Sequence, residues 1–275
     1  MKTILVPTDY SKTAKNAAEY AIGIAKLTKA KIILLHVFDI PVTVTDIPVV
    51  IPTFDDFEKI KKEQLKKYET ELIAKHGKGV SISSILKLGY VNDEIKTVVK
   101  EKKVDLIIMG ITGAGKLPEL LIGSNASRVI QTSKCSTITV HKNVKFQPIK
   151  KIAFACDYEG IEEESKALDK LIKFVQLFKA KLLLVNIVDS SEKPSYKKEL
   201  SGKLLEHLFE KVNHTIFFRK NEDVIDGINK FVDKQNIDMI VMLPKKHTLF
   251  SRLFHESNTK KMAFHTHIPL LTIQN

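Results

Sequence analysis

The chain of 275 residues has no tryptophan, only 2 cysteines and 11 glycines. No apolar run approaches the roughly 20 residues of a membrane-spanning helix. Cys135 and Cys156 each lie within or beside an apolar, strand-like stretch, and free buried thiols in a reducing compartment are expected rather than a disulfide. The strand pattern starts directly after Met1-Lys2, so no signal peptide and a cytoplasmic location are expected. Aromatic residues make up 7% of the chain and do not alternate with basic ones, as a stacking platform for nucleic acid requires. Positive charge is plentiful, with 44 Lys and Arg against 32 Asp and Glu and a net charge of +12. The lysines are interleaved with acids, as in Glu58-Lys59-Ile60-Lys61-Lys62-Glu63, which is the pattern of a solvated helix face rather than a nucleic-acid surface. Apolar residues at 44% and charged residues at 28% are those of a globular protein of one large or two ordinary domains.

Taken in order, residues 3–8 read as an apolar strand ending at Pro7-Thr8-Asp9. Ser11 can cap the helix that follows, whose stripe of Ala14, Ala17, Ala18, Ala21, Ile22 and Ala25 has helical spacing and small side chains. Lys31–Phe38 reads as a strand, residues 39–53 as an extended excursion with three prolines, and residues 54–76 as a long charged helix. Val80–Lys87 alternates as a strand, Asn92–Lys102 is a short helix, and 104–109 is a buried strand. Residues 125–132 form a last helix and Ser136–Val140 a last strand. Strands alternating with helices predict an α/β fold with a parallel sheet.

Between the strand at 104–109 and the helix at 125–132 lies a long glycine-bearing connection. Gly110, Gly113 and the pair Gly123-Ser124 are spaced G-x2-G-x9-G-S. Such a loop suits phosphate, because glycine admits close backbone approach and the N–H groups at a helix start point at an anion. This loop, with the opening Ile4-Leu5-Val6-Pro7-Thr8-Asp9, resembles the ATP-binding branch of the universal stress protein family. The resemblance implies a Rossmann-like domain with a five-stranded parallel sheet in the order 3-2-1-4-5 and helices on both faces. It implies ATP or AMP as ligand, with Mg²⁺ as the companion ion. It also implies an adenosine side at Pro7, Thr8, Asp9 and Val37, a ribose and first-phosphate side at Met109, Gly110, Thr112 and Gly113, and an outer phosphate cradle at Gly123, Ser124 and Asn125.

The pattern occurs twice. Asp157 answers Asp9 at an offset of 148 and Ala180 answers Ala30 at 150, whereas Asp238 answers Asp105 and Thr272 answers Thr139 at 133. The second copy is therefore shorter between its second and fourth strands, where it has lost the proline excursion and part of the long helix. Two domains are expected, at 1–142 and 151–275, with a linker at 143–150. The family resemblance implies that they pair through their last strands as an intrachain pseudo-dimer, with further homodimerisation open. At an offset of 133, Gly110, Gly113 and Gly123 fall on Leu243, Lys246 and Glu256, so the second copy is not expected to hold a triphosphate.

Other constellations carry less. Gly110-Ile111-Thr112-Gly113-Ala114-Gly115-Lys116 fits part of a P-loop, but Leu117 stands where Mg²⁺ needs Ser or Thr, and Pro118 follows. His247, His255, His265 and His267 gather in a short stretch, with the spacing of plain polar loop residues as well as of a metal site. No catalytic arrangement stands out. Three functions remain: a nucleotide-binding sensor or scaffold for stress, a slow ATPase or phosphoryl-transfer enzyme, and a module whose second domain binds a metal, lipid or partner protein.

Overall fold

The computed structural model describes residues 1–39, 54–76, 78–111, 124–156, 165–188, 205–243 and 268–274. In the first repeat β1 (Thr3–Pro7), β2 (Lys31–Phe38), β3 (Ile82–Leu88), β4 (Leu106–Ile111) and β5 (Ser136–His141) alternate with α1 (Lys12–Thr28), α2 (Phe54–His76), α3 (Val91–Glu101) and α4 (Ser124–Thr132). The second repeat contains β6 (Lys151–Ala155), α5 (Ser165–Phe178), β7 (Lys181–Val188), β8 (His214–Lys220), α6 (Val224–Gln235), β9 (Met239–Met242) and β10 (Leu270–Thr272). Against the expected bounds, α2 coincides, while β4 starts two residues late and runs on through Gly110 and Ile111.

The ten strands form one sheet in the order β3-β2-β1-β4-β5-β10-β9-β6-β7-β8. Each half has the order 3-2-1-4-5 and is parallel throughout. The halves join where β10 pairs antiparallel with β5, Leu271 opposite Ile138. Thr272 Oγ1 donates to the Thr137 carbonyl at 3.2 Å and Gln274 Nε2 to the Ile130 carbonyl at 2.6 Å. Two edges that would otherwise expose backbone donors and apolar side chains cover each other.

The alanine stripe of α1 is buried along its whole length, and its small side chains bring the helix close to the sheet. On this face the apolar core runs unbroken from Ile4 and Val6 through Ile138 and Val140 to Phe154 and Leu271. The opposite face carries two separate clusters, one centred on each half. Residues 144–150 have no regular structure, yet they are not a loose tether. Val144 and Ile149 are buried, and Asn16 Nδ2 donates to the carbonyls of His141 and Val144 at 2.9 and 2.8 Å. Phe146 lies edge-on to Tyr20, at 5.2 Å between ring centroids, in space left by Gly23, where a Cβ would come within 2.2 Å of the Phe146 ring.

One device appears in both repeats. Asp105 accepts the N–H groups of Lys2 and Thr3 at 2.6 and 2.9 Å. Asp238 does the same for Lys150 and Lys151, both at 2.8 Å. Each carboxylate fastens the start of a fourth strand to the start of a first. The length difference between repeats lies between their second and third strands, 39–81 against 189–213. Among the described residues no helix is long and apolar enough to cross a membrane.

Candidate functional site

In an open parallel sheet the strand order reverses between β1 and β4, and a crevice opens beyond the carboxyl ends of the strands there. A cavity of about 220 Å³ occupies this crevice. Its floor and walls include Pro7, Thr8, Asp9, Val37, Met109, Gly110 and Asn125. These seven of the eleven residues expected at a site thus line one cavity. Ser124 begins α4, while Thr112, Gly113 and Gly123 lie outside the described residues.

The turn from β1 into α1 is fixed by its own side chains. Thr8 Oγ1 accepts from Tyr10 N at 3.1 Å, Asp9 Oδ1 from Ser11 N at 3.0 Å, and Ser11 Oγ from Ala14 N at 3.2 Å. The last is the N-cap expected from the sequence. Tyr10 has φ +63°, a left-handed conformation uncommon for a large side chain. The first turn of α1 carries no acid, and Ser11, Thr13 and Ala14 border the cavity. A helix start of this kind favours an anion.

Gly110 has a role that the glycine pattern alone does not reveal. A Cβ there would lie 2.5 Å from the backbone oxygen of Thr13. Glycine lets the first turn of α1 lie directly on β4, which closes the inner wall of the cavity.

Three residues around the crevice were not singled out in the sequence. His36 is buried and its Nδ1 lies 2.8 Å from the Thr8 carbonyl. A carbonyl only accepts, so Nδ1 carries the proton and Nε2 of the neutral ring is an acceptor. Burial holds the His36 pKa below its ordinary value, assisted by Lys61 and opposed by the Thr8 bond and Asp9. The ring of Tyr10 packs on His36 at 4.6 Å, and burial pushes its phenol up to about 12. The third is Asn92, buried in the first turn of α3, whose Nδ2 donates to Asn125 Oδ1 at 3.4 Å. Comparing the two repeats was the available signal: Asn186 stands at the place of His36, and its Nδ2 likewise donates to the Cys156 carbonyl at 3.0 Å. Ile225 stands at the place of Asn92.

The sequence model of the universal stress protein family matches residues 1–141 and again residues 148–274. The chain belongs to the universal stress protein family. It is 36% identical over 149 residues to universal stress protein MJ0531 of Methanocaldococcus jannaschii, a match covering 52% of this chain and 84% of that protein. It is 25% identical to universal stress protein Slr1230 of Synechocystis over the full length of both. Among solved structures, a universal stress protein from Archaeoglobus fulgidus superposes with a TM-score of 0.76 at 18% identity, covering 99% of this chain and 98% of that one. That structural likeness concerns the fold.

The second universal stress repeat differs at the corresponding place. Leu243 stands where Gly110 stands and is buried in the core that runs through both halves. Asp157, Lys246, Glu256 and the four histidines 247, 255, 265 and 267 lie outside the described residues. Among the described residues no group of three or more His, Cys, Asp or Glu could hold a metal. Neither cysteine is in a disulfide; Cys135 is buried and Cys156 half-buried. Burial pushes the Cys135 thiol up to about 12, which makes it inert as a nucleophile.

Proposed function

We propose that this universal stress protein binds one adenine nucleotide, ATP or AMP, in its first domain and acts as a sensor or scaffold in the stress response. We take the domains as 1–142 and 151–275, paired inside one chain like the two subunits of a dimer. The observation that carries the reading is the cavity at the strand crossover, lined by Pro7, Thr8, Asp9, Val37, Met109, Gly110 and Asn125. The α1 N-terminus and the close approach at Gly110 suit the phosphate end, and Val37 offers an apolar wall to a base. In this reading Thr112 and Gly113 serve the ribose and first phosphate, and Gly123, Ser124 and Asn125 the outer phosphates. Mg²⁺ would travel on the phosphates of ATP, as this hard, strongly hydrated cation commonly does. A cytoplasmic setting agrees with two cysteines that are not joined in a disulfide.

Binding rather than catalysis is the reading preferred. Extraction of the purified full chain, prepared without added nucleotide, should release an adenine nucleotide identifiable by mass. Incubation with Mg-ATP should give turnover well below the roughly 1 s⁻¹ at which ordinary enzymes begin. Release of a different ligand, or turnover in the enzyme range, overturns the reading.

A further inference from the structure

A second cavity, of about 680 Å³, adjoins the first and shares Val37, Val91 and Asn125 with it. None of Pro7, Thr8, Asp9, Met109 and Gly110 lines it, so it is not the crevice already assigned. It opens between α3 and α4 and meets the first cavity at Val37, assigned to the adenosine side, and at Asn125, assigned to the outer phosphates. The first lobe alone is smaller than the roughly 300–1,000 Å³ of small-molecule sites, and the second falls inside that range.

The chemistry of the second lobe is specific. Arg128 lies on it one turn beyond Asn125 on α4, and among the described residues it has no ion-pair partner. Lys96 faces it from α3, held 3.7 Å from Asp93. Tyr90 lines it as well and is 82% exposed, which leaves its ring open to a ligand. Asn92 lines the lobe and is only 8% exposed, and among the described residues its Oδ1 has no hydrogen-bond partner. A buried amide oxygen left unpaired is costly, and a ligand donor would relieve it.

Asp39 and Asp93 also line the lobe and balance Lys96 and Arg128. A balanced lobe does not call for a second polyanion. It suits a neutral group with a π-face and donor groups, reached through one phosphate that Arg128 can grip. A nucleoside meets that description. Its base can stack on Tyr90, and its ribose hydroxyls or exocyclic amine can donate to Asp39 and Asn92. The second repeat has Asp223, Ile225 and Asn229 at the places of Tyr90, Asn92 and Lys96. Ring, amide and cation therefore occur together only in the repeat that keeps the glycine loop.

We infer that the first-domain site takes a dinucleoside polyphosphate, with one nucleoside in the first lobe, the phosphate chain passing Asn125 to Arg128, and the second nucleoside in the lobe between α3 and α4. This rests on the nucleotide reading of the first lobe. The test is calorimetric titration of the full chain with ATP and with diadenosine tetraphosphate, on the native sequence, Tyr90→Ala and Arg128→Ala. Both side chains removed are exposed, and equal melting temperatures will show that folding is intact. The dinucleotide should bind about tenfold tighter than ATP or better. Each variant should erase that advantage while leaving ATP affinity within about twofold. Equal affinity for the two ligands in the native chain overturns the inference and leaves mononucleotide binding standing. So does an equal loss for both ligands in the variants, because the second lobe would then belong to the mononucleotide site. Failure of both ligands to bind overturns this inference and the nucleotide reading together.

Discussion

A methyl group on Gly110 would meet the Thr13 backbone, which cannot swing aside as a flexible side chain could. Gly110→Ala should therefore push α1 off β4 and destabilise the chain by about 1–3 kcal/mol, the cost of overpacking. Thermal unfolding measures this, and nucleotide affinity should fall with it because the same movement opens the cavity wall. An unchanged melting temperature would mean that α1 and β4 are not as close as described. His36 makes a pH prediction. Its folded-state pKa is lowered, chiefly by burial, so the unfolded chain takes up a proton at a higher pH than the folded one. Stability is then full above the ordinary histidine pKa of about 6.5 and is lost as pH falls below it. His141 is shifted in the same direction by burial and Lys142. Melting temperature should drop between pH 7 and pH 5, and His36→Asn, which copies Asn186 of the other repeat, should reduce the drop without removing it. An identical drop in this variant would take His36 out of the account. Asp9, Thr8 and Val37 were named through the family resemblance, and they line the cavity because they lie at or just past the carboxyl ends of β1 and β2. His36, Tyr10 and Asn92 were not named, because their importance lies in a carbonyl, a ring and an amide brought close only by folding.

At the scale of elements, the strands and helices were legible wherever apolar spacing alone decides. The stripe on α1 and the span 54–76 of α2 are the clearest cases. Helix ends were harder to read. Lys29, Lys103, Lys179 and Asn236 all adopt left-handed φ, at 59°, 49°, 50° and 52°, in a role usually filled by glycine. The repeat echo Lys29-Ala30-Lys31 and Lys179-Ala180-Lys181 is the same turn made twice. The Asp105 and Asp238 staples yield a paired prediction. Each carboxylate accepts two backbone N–H groups, one exposed and one part-buried, so Asp105→Ala and Asp238→Ala should each cost about 1–2 kcal/mol, toward the low end for hydrogen bonds to a charged group. Their melting temperatures should fall by similar amounts. A large loss for one with none for the other would show that the two repeats are not stapled alike.

Across the whole molecule, the internal repeat and its offsets pointed to two halves, the family resemblance implied the order 3-2-1-4-5, and the sheet has that order in each half. The segment 143–150 was expected to be a linker between the two copies of the pattern. In the structure, Phe146 fills the space at Gly23, Val144 and Ile149 are buried, and Asn16 grips the chain; composition does not record such docking. The central claim is that two halves of one fold have different tasks, with the first binding nucleotide and the second not. Calorimetric titration of the full chain with ATP tests it most directly, on the native sequence, Gly113→Val and Lys246→Ala. The account predicts one nucleotide per chain, no binding in Gly113→Val, where a branched side chain would block backbone approach to phosphate, and unchanged binding in Lys246→Ala. Two nucleotides per chain, lost affinity in Lys246→Ala, or binding that survives Gly113→Val would contradict it.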